Sequence, residues 1–599
     1  MPSSPDLSIH LNQIVKSYTN VDVIKLPESS LIPDACRQMI KINTDEIIVV
    51  DKNENPIGLV TDEDVIKKTS EAFVNPTKTT LGDIMTFPVI SIGQNKTLSD
   101  ALEKMRQYKV RKLVVLSDEN KIIGILYKNT IINLMKSHLA EKPEKHSAFW
   151  SIIWNLGIVL QFAGVLMFIP AVIATLLWET IPATGIYLMS TLLLVTGFFM
   201  NMYGERRPLK LRGVAILVFV SFMVLVLFGT IPHLLVVPYD AARPLEHFVN
   251  SFFESASGFT TGGLSLISTP EDLPQSFTFY RSYTQFVGGL SFVYLIVTTF
   301  YPEHKLRTMR SFISGRIPQL RELLITITIL FTIYIIIIAT ALFYLGERNL
   351  IDNFSLAMSA VSTGGWIPNS QILTELSVPE HIVIMSGMVL GALPFGFHYA
   401  FVRTRFMSIH ISKEVALYFI ILVVASAVFL FSMSSNMVDS VFNIVSASTT
   451  TGFQTISLQH LNPIAWAVII TAMLIGGCGF STAGGLKVFR LIRLASIRDL
   501  FRKKKMNASD KNELVTALIL AALFPLIPLL VANHMHSLGY DFKDSYFDAV
   551  SALTTTGLST GTVTSSLNPS MIMVFSFLMI LGRIEIILLL YIIVPKLIP

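Results

Sequence analysis

The chain has 599 residues, of which 52% are hydrophobic and 15% charged, and this composition excludes an ordinary soluble globular protein. The two cysteines, Cys36 and Cys478, exclude a disulfide framework. The net charge of +5 comes without the basic and aromatic patterning of a nucleic-acid-binding surface. Apolar runs of about 20 residues, the length of a helix that crosses a bilayer, recur from residue 149 onward. The sequence therefore predicts a polytopic α-helical membrane protein.

The first 145 residues are charged, lack a spanning run and open without a signal peptide, so we expect a cytosolic α/β domain at 1–145. Within it, the stretches 45–66 and 111–132 share one pattern: an apolar strand, a polar hairpin, a second strand and the start of a helix. A segment with helical periodicity precedes each copy. This duplication resembles a tandem pair of CBS domains, and the resemblance implies that an adenine nucleotide regulates the protein.

Three residues of the first copy fit the nucleotide pattern of that family: Gly58, Thr61 and Asp64, in the order G-h-h-T-x-x-D. The resemblance implies that Thr61 contacts the phosphate or ribose and that Asp64 binds the ribose hydroxyls. The second copy departs from the pattern, because Tyr127 stands where the first copy has Thr61. The alternative is a purely structural module, in which Thr61 and the acids after it form an ordinary helix cap.

A polar signature rich in Ser, Thr and Gly interrupts the apolar region four times, as "SASGFTTGGLSL", "SAVSTGGW", "SASTTTGF" and "SALTTTGL". A short segment precedes each signature and is predicted to begin with an N-cap residue: Asn250, Asp352, Asp439 or Asp544. Such a segment rises only about 12 Å and cannot span the membrane. Flanking spans are predicted at 211–235 and 277–301, 322–345 and 381–401, 413–433 and 463–486, and 514–533 and 571–594.

The predicted fold is therefore four repeats of helix, half-helix, polar loop and helix around a central pseudo-fourfold pore. The repeats occupy 206–304, 305–405, 406–510 and 511–599, and an extra helix pair at 146–205 precedes them, with spans at 149–177 and 184–202. Ten spans place both termini on one side of the membrane. Connections rich in Lys and Arg, such as 304–321 and 486–505, place that side in the cytosol.

Irregular backbone at membrane depth is tolerated only where it is packed in protein or lines an aqueous path. Glycine lets such a backbone turn its carbonyl oxygens inward, and four loops around one axis would replace the hydration shell of an ion. No loop carries a carboxylate, which favours a monovalent cation over Mg²⁺ or Ca²⁺. The alternative is a set of small-residue turns that let helices pack closely. The predicted ion-binding residues are Thr260, Thr261, Gly262, Gly263, Ser362, Thr363, Gly364, Gly365, Thr449, Thr450, Thr451, Gly452, Thr554, Thr555, Thr556 and Gly557.

From about residue 148 onward, the chain resembles the Trk/Ktr/HKT superfamily of potassium transporters, and most of all its Trk type. The segments "SGFTTGGL", "YRSYTQFVGGLSF", "GGCGFSTAGGLKVFR" and "LGRIEI" resemble the first filter loop, the helix after it, the gating segment and a final-helix motif of that family. The resemblance implies K⁺ uptake across the cytoplasmic membrane by a lipid-embedded homodimer, which could dock a separate cytosolic ring of nucleotide-binding subunits. Coupling to H⁺ or Na⁺, as in a symporter, stays open. Gly262 and Gly364 depart from the Thr of the other two copies.

A glycine-rich stretch interrupts the second helix of the third repeat, where each glycine costs about 1 kcal/mol relative to alanine. It predicts a flexible intramembrane loop that blocks the inner half of the pore, with close helix packing or a helix end as the alternative. The resemblance implies a gate, with Lys487 at its inner edge and Arg583 as an electrostatic barrier under the filter. A structural ion pair between Arg583 and Glu585 is the other interpretation. The glycines are Gly476, Gly477, Gly479, Gly484 and Gly485.

Two other functions stay open from the sequence. A channel for another cation, either Na⁺ or Mg²⁺ under control of the CBS domains, would need a different ion site, with carboxylates in the Mg²⁺ case. A membrane sensor that transports nothing would use the N-terminal domain as its ligand switch. An enzyme is not expected, because the sequence contains no HExxH, GxSxG or other convincing nucleophile–base set.

Overall fold

The computed structural model describes residues 13–140, 148–300, 320–403, 412–498 and 508–593, apart from gaps at 22, 43, 72–74, 76, 208, 210, 238–242 and 434–435. The chain divides into two compact units, Met1–His146 and Ser147–Pro599. Most of the basic connections that predicted the membrane orientation, including 304–319 and 499–505, lie outside the described residues.

The N-terminal unit contains two copies of one three-stranded sheet, which confirms the predicted duplication. In each copy the first strand runs parallel to the second, and the second pairs with the third in an antiparallel hairpin. The hairpin register is also shared, since Val49 lies opposite Gly58 and Val115 opposite Gly124. The strands are β1 (Ile24–Pro27), β2 (Glu46–Val50), β3 (Pro56–Thr61), β4 (Ser91–Gly93), β5 (Lys112–Leu116) and β6 (Ile122–Tyr127), and the helices are α1 (Ile32–Ile42), α2 (Asp62–Glu71), α3 (Leu81–Ile84), α4 (Leu98–Gln107) and α5 (Lys128–Ala140).

The regular secondary structure of the second unit consists of helices alone among its described residues. Six of its described helices are long and apolar enough to cross a membrane, and a seventh candidate is a bent pair. The first helices are α6 (Ala148–Leu176), α7 (Thr180–Tyr203), α8 (Leu211–Val236), α9 (Pro244–Phe259), α10 (Gln275–Phe300), α11 (Leu320–Leu345), α12 (Leu350–Val361), α13 (Val378–Ala392) and α14 (Phe395–Arg403). They are followed by α15 (Lys413–Met433), α16 (Met437–Ser448), α17 (Pro463–Ile475), α18 (Val488–Ala495), α19 (Ala508–Ser537), α20 (Phe542–Leu553), α21 (Pro569–Ile584) and α22 (Ile586–Ile593).

Four of these helices, α9, α12, α16 and α20, are the predicted half-helices. They contain 16, 12, 12 and 12 residues, so they rise about 24 Å and about 18 Å and stay shorter than a hydrocarbon core of about 30 Å. They are longer than the sequence predicted, because short helices 2 to 4 begin three residues earlier and short helix 1 begins seven residues earlier. We refer to them as short helices 1 to 4 in chain order.

The predicted N-caps of the short helices are wrong. The true caps of short helices 2, 3 and 4 lie three residues earlier, at Asn349, Asn436 and Asp541, whose side chains accept backbone N–H groups of the first turn. Asp352, Asp439 and Asp544 are instead the third helical residues, where an acid is also favoured by the helix dipole. Asn250 is buried inside short helix 1, which begins at Pro244. Two cap-forming residues three positions apart cannot be ranked from sequence alone.

The second long helix is interrupted in three repeats, so the continuous spans predicted at 381–401 and 571–594 are wrong. In repeat 2, α13 and α14 meet at an angle of 102°, next to Pro394, which has no N–H to continue the helix. In repeat 4, Glu585 adopts a left-handed φ of 64° between α21 and α22. In repeat 3, the chain leaves helical geometry between Ile475 and Val488, as the glycine-rich stretch predicts. The corresponding helix of repeat 1, α10, is continuous.

Candidate functional site

Each short helix ends in a loop with the same backbone hydrogen bonds. We call these loops 1 to 4, comprising 260–263, 362–365, 449–452 and 554–557. In loop 4, Thr555 N–H donates to Ala552 at 3.1 Å and Thr556 N–H donates to Ser551 at 2.8 Å. The equivalent of the second bond joins Gly262 to Ser257 at 2.7 Å, Gly364 to Ser359 at 2.8 Å and Thr451 to Ser446 at 2.9 Å.

The loops also share two positions with left-handed backbone. Thr261, Thr363, Thr450 and Thr555 have φ values of 53°, 55°, 53° and 49°. A positive φ is a rare conformation for a β-branched residue and costs about 1–3 kcal/mol. Two residues later, Gly263, Gly365, Gly452 and Gly557 have φ values of 75°, 82°, 93° and 93°. The same strained turn therefore ends each short helix and returns the chain outward.

The four glycines meet in a closed ring. A methyl group placed on Gly263 would lie 2.9 Å from the carbonyl oxygen of Gly364 and 2.7 Å from the Cα of Gly557. A methyl group on Gly557 would lie 3.1 Å from the carbonyl oxygen of Gly262. The two remaining contacts are closer: a methyl group on Gly365 would overlap the carbonyl oxygen of Thr451, and one on Gly452 would overlap that of Thr556.

Each glycine thus abuts the carbonyl of the residue that precedes the glycine in the next loop, in the order 1, 2, 3, 4 and back to 1. The structure therefore brings together all four loops that the sequence singled out. Only glycine satisfies both conditions at these positions, a positive φ and no room for a Cβ. The result is a ring of neutral backbone oxygens, the kind of group that can replace water around a cation.

A set of residues behind the loops was missed by the sequence analysis. They lie nine residues before the ring glycines: Glu254 in short helix 1, Asn443 in short helix 3 and Asp548 in short helix 4, and all three are buried. Each side chain binds the chain that leaves its loop: Glu254 and Asp548 bind it two and three residues after the glycine, and Asn443 binds it three residues after the glycine. We call them the loop struts.

The struts bind equivalent groups. Glu254 accepts the Leu266 N–H at 2.6 Å, and Asp548 accepts the Thr560 N–H at 2.8 Å. Asn443 accepts the Thr455 N–H at 3.3 Å and donates to its hydroxyl at 2.7 Å. Glu254 and Asp548 also accept the hydroxyls of Ser265 at 2.9 Å and Ser559 at 3.0 Å.

Repeat 2 carries no strut, and the reason lies in its sequence. The equivalent position is Leu356, and the residue three after the glycine is Pro368, which has no N–H that would need an acceptor. An apolar residue therefore occupies the strut position in the one repeat whose outgoing segment has no backbone donor three residues after the glycine. An alignment of the four repeats shows this relation, because the hydrogen-bond acceptor at the strut position is missing only in the repeat whose residue three after the glycine is proline.

The strut of repeat 1 belongs to a larger buried network. Glu254 pairs with Arg281 at 3.1 Å, and both side chains are almost completely buried. The guanidinium of Arg281 lies 4.4 Å from the ring centre of Trp366, close enough for a cation–π interaction. Trp366 follows the glycine of loop 2, so this network connects loops 1 and 2.

The glycine-rich stretch 476–487 contacts loops 3 and 4. The Gly484 N–H donates to the Thr450 hydroxyl at 2.6 Å, and a methyl group on Gly484 would overlap the carbonyl oxygen of Thr554. Gly476 and Gly485, with φ values of 70° and 74°, lie against each other at the two ends of the stretch. We call this stretch the intramembrane loop.

The intramembrane loop is hydrogen-bonded to the end of α13, next to the break in repeat 2. The N–H of Cys478 donates to Ala392 at 3.0 Å, and the N–H of Thr482 donates to Gly391 at 3.1 Å. From the other side, the carboxylate of Glu414 accepts the Gly479 N–H at 2.5 Å. Gly477 of the intramembrane loop also lies close to this break, since a methyl group there would sit 3.1 Å from the carbonyl oxygen of Ala392.

Of the two predicted cations, Lys487 is the last residue of the intramembrane loop and Arg583 lies beside that loop. Arg583 is 2% exposed and donates to the carbonyl oxygen of Thr482 at 2.7 Å. Lys487 is 3% exposed, and its ammonium contacts the carbonyl oxygen of Ala483. Glu585 forms its ion pair with Arg490, on the helix that follows the intramembrane loop. The structure thus places the carboxylate of Glu585 against α18 and the guanidinium of Arg583 against the intramembrane loop itself.

In the N-terminal unit, Gly58, Thr61 and Asp64 lie at the end of β3 and the start of α2. Asp64 accepts the Thr61 N–H at 3.0 Å and its hydroxyl at 2.8 Å, and the Asp64 N–H donates back to the Thr61 hydroxyl at 3.2 Å. This reciprocal pairing is a capping box. A methyl group on Gly58 would overlap the Met85 side chain, so Gly58 serves close packing.

The second copy uses the equivalent position differently. Tyr127 donates its hydroxyl to the carboxylate of Glu46, which also pairs with Lys112. Burial and this hydrogen bond raise the pKa of Tyr127 to about 12. Glu46 is 3% exposed, and its partners belong to the other copy. These residues therefore link the two sheets, and the phenol of Tyr127 is committed to that contact.

Comparison with known proteins agrees with this geometry. The family model TrkH, described as a cation transport protein, matches residues 183–432 and 409–596, and the CBS domain model matches residues 15–71 and 81–137. The chain is 27% identical to an uncharacterized cation transporter of Methanocaldococcus jannaschii over 69% of its length and 88% of that protein. It is 24% identical to the Trk system potassium uptake protein TrkH of Escherichia coli, over 65% of this chain and 87% of that one.

The crystal structure of the potassium transporter TrkH from Vibrio parahaemolyticus superposes with a TM-score of 0.64, at 23% identity, and covers 75% of this chain and 99% of that one. This likeness shows the fold of the second unit. Since the cation transport model matches well over half of the residues, the chain is a multi-pass membrane protein that belongs to the TrkH family of cation transport proteins, with a pair of CBS domains at its N-terminus.

Proposed function

We propose that this protein takes up K⁺ across the cytoplasmic membrane through the ring formed by loops 1 to 4, with both termini in the cytosol. The observation that carries the proposal is the closed cyclic contact of Gly263, Gly365, Gly452 and Gly557 with the carbonyls of the neighbouring loops. Relatives whose names include potassium uptake agree with it. The membrane potential supplies about 2.3 kcal/mol per charge per 100 mV for inward movement.

The chemistry of the ring favours a monovalent ion. The loops offer backbone carbonyls and hydroxyls, and the buried hydroxyl oxygens of Thr261 and Thr555 have no hydrogen-bond partner among the described residues. The nearby carboxylates of Glu254 and Asp548 already accept N–H and hydroxyl groups of the loops' own outgoing segments. Mg²⁺ and Ca²⁺ favour carboxylates or retained water, so neutral oxygens alone support K⁺ better.

We propose further that the intramembrane loop closes the pore beneath the ring. Its contacts with Thr450 and with the carbonyl of Thr554 put it directly against loops 3 and 4. The buried cation Lys487 belongs to this loop and the buried cation Arg583 donates to its Thr482 carbonyl, so both bring positive charge that would repel an entering cation. Movement of this loop would therefore remove both a steric and an electrostatic obstacle.

For the N-terminal unit, we propose that the first CBS domain binds an adenine nucleotide that controls uptake. Thr61 and Asp64 lie side by side at the start of α2, where a helix N-terminus favours phosphate groups. The capping box uses one oxygen of Asp64, Oδ2, and leaves Oδ1 for ribose hydroxyls, at 3.5 Å from the Thr86 hydroxyl. The committed phenol of Tyr127 argues against a like site in the second copy.

Ion flux into proteoliposomes that contain the purified full-length chain tests the proposal. We expect Rb⁺ to enter under an inside-negative potential, at a higher rate than Na⁺, and we expect K⁺ to compete with it. We also expect the rate of Rb⁺ entry to change when adenine nucleotide is present on the cytosolic side. Entry of Mg²⁺ in preference to Rb⁺, or no ion entry from correctly folded protein, would contradict it. Preferential Na⁺ entry would leave a cation pathway but reject K⁺ as its substrate.

A further inference from the structure

The ring departs from fourfold symmetry at the residue just before each glycine. In loops 3 and 4 this residue is Thr451 or Thr556. The Thr451 hydroxyl hydrogen-bonds the Thr449 hydroxyl at 2.8 Å, and that of Thr556 bonds Thr554 at 2.7 Å. In loops 1 and 2 the residue is glycine and cannot form this pair. The carbonyl of this residue faces the glycine of the adjacent loop. A side chain that fixes the position of this residue therefore also fixes the position of a carbonyl in the ring.

In loop 2, a side chain from another repeat fills the place of the missing threonine. Gln285, on α10 of repeat 1, is completely buried. A methyl group on Gly364 would overlap the Gln285 amide and would lie 2.8 Å from its Cβ. The Gln285 Nε2 donates to the Gly364 carbonyl oxygen at 2.6 Å. The support of loop 2 thus comes from outside the loop.

The partners of Gln285 fix the orientation of its amide. Its Oε1 accepts the Ser359 hydroxyl at 3.0 Å and lies 3.4 Å from the Trp366 backbone N–H. A reversed amide would set its oxygen against the Gly364 carbonyl oxygen and its NH₂ against the Trp366 N–H, and both contacts would be unfavourable. Gln285 is therefore a hydrogen-bond donor to a carbonyl of the ring.

Loop 1 has a third kind of support. A methyl group on Gly262 would overlap the sulfur of Met579, from α21 of repeat 4. That contact is apolar, so it fills space without binding the Gly262 carbonyl. Among the four loops, only loop 2 has the carbonyl before its glycine bound by a side-chain amide in the described structure.

We propose that Gln285 is a specificity-determining positioning residue, whose amide holds the Gly364 carbonyl in the place that the threonine hydroxyl pairs secure in loops 3 and 4. The proposal rests on the proposed function of the ring as a K⁺ filter. Discrimination between K⁺ and Na⁺ depends on the size and ligand number of such a ring. A loop 2 released from Gln285 could move its carbonyl toward a smaller ion, so discrimination should fall more than total flux.

The test compares Gln285→Met with a matched control, Gln161→Met, in proteoliposomes. Gln161 also bonds one polar partner inside the membrane unit, the Asn201 side chain at 2.7 Å, but it lies in the extra helix pair. We expect Gln285→Met to lower the ratio of Rb⁺ to Na⁺ uptake about fivefold, the effect of one hydrogen bond of about 1 kcal/mol. We expect the control to keep the wild-type ratio.

A rescue variant separates positioning from general stability. The triple variant Gln285→Ala, Ser362→Thr and Gly364→Thr gives loop 2 the threonine pair of loops 3 and 4 and removes the side chain that would collide with it. We expect it to recover most of the lost ratio. Gln285→Asn, with an amide one methylene shorter, replaces Gln285→Met if that variant does not fold.

The proposal is overturned if folded Gln285→Met, or Gln285→Asn in its place, keeps the wild-type ratio of Rb⁺ to Na⁺ uptake. It is also overturned if the folded triple variant recovers none of the lost ratio. These results differ from failure of the proposed function. In that case the wild-type protein itself would show no preference for Rb⁺ over Na⁺.

Discussion

Replacing Asp548 by alanine should lower both the stability of the protein and its ion discrimination. This buried strut accepts the N–H groups of Thr560 at 2.8 Å and Val563 at 3.2 Å, and the hydroxyl of Ser559 at 3.0 Å. All three groups belong to the segment that leaves loop 4. Without the carboxylate, their donors would stay buried without an acceptor, and the segment above the ring would lose its attachment to short helix 4.

The expected loss of stability follows from these contacts. A hydrogen bond to a charged group contributes about 1.5–3 kcal/mol, but the four bonds to this carboxylate, the fourth from the Thr560 hydroxyl at 3.2 Å, share a single desolvation cost and do not add. Leaving a buried donor without an acceptor costs about 1–3 kcal/mol, and because several donors lose their acceptor together, we expect Asp548→Ala to cost about 3–5 kcal/mol. Asp548→Asn keeps an acceptor oxygen, as Asn443 does naturally in repeat 3, so its loss should be about 1 kcal/mol.

Two measurements on the full-length chain test this reasoning: thermal unfolding in detergent, and the ratio of Rb⁺ to Na⁺ uptake in proteoliposomes. Leu356→Ala is the control, because it creates a cavity costing about 2–5 kcal/mol at the equivalent place of repeat 2, where Pro368 has no N–H to release. Both variants should unfold at a lower temperature, and only Asp548→Ala should lower the uptake ratio. An unchanged ratio in Asp548→Ala, or an equal fall in Leu356→Ala, would refute the role of the strut.

Three further predictions concern the ring, the intramembrane loop and the CBS domain. Gly452→Ala should abolish Rb⁺ uptake, because its Cβ would overlap the Thr556 carbonyl. The control Gly539→Ala has a similar φ of 95° and no atom within 4 Å of the new Cβ, so it should cost only backbone strain of about 1 kcal/mol and keep uptake. Equal uptake in both variants would contradict the ring. Deletion of residues 477–484 should raise Rb⁺ flux, and a fall in folded protein would argue against a gate. Asp64→Ala should abolish calorimetric binding of adenine nucleotide to the full-length chain, while Asp100→Ala, which removes a capping box of the same kind from the different helix α4, should leave it intact.

The fourfold plan of the membrane unit could be predicted because its elements carry strong signals. A polar signature repeated four times between apolar runs leaves few alternatives to re-entrant segments, since irregular backbone at that depth must be packed or line a path. The glycines could also be identified, because a left-handed turn in a crowded place requires them. These signals lie in the local sequence of each repeat, and their fourfold recurrence favours re-entrant segments over simple small-residue turns.

Features that depend on contacts between segments could not be predicted in the same way. The left-handed residue at the break, Glu585, is neither glycine nor asparagine, so its own residue type does not indicate a break. The pairing of Glu585 with Arg490 joins residues 95 positions apart. Gln285 lies in an apolar helix of repeat 1, and its partner Gly364 lies 79 residues later. Nothing in either local sequence indicates the other.

The loop struts depend on contacts between segments of the same repeat, so they are neither purely local nor distant in sequence. They show why the four repeats can differ while the ring stays regular. The change from acceptor to Leu356 is matched by Pro368 within the same repeat, and the change from threonine to Gly364 is matched by Gln285 from another. Each substitution is therefore compensated at the point where it occurs, and the backbone turn keeps the same hydrogen bonds in all four loops. A polar side chain thus supports the residue before the glycine in loops 2, 3 and 4, whereas in loop 1 Met579 only packs against Gly262. Differences in ion preference between proteins with this ring would then originate in the residues behind the loops as much as in the loops themselves.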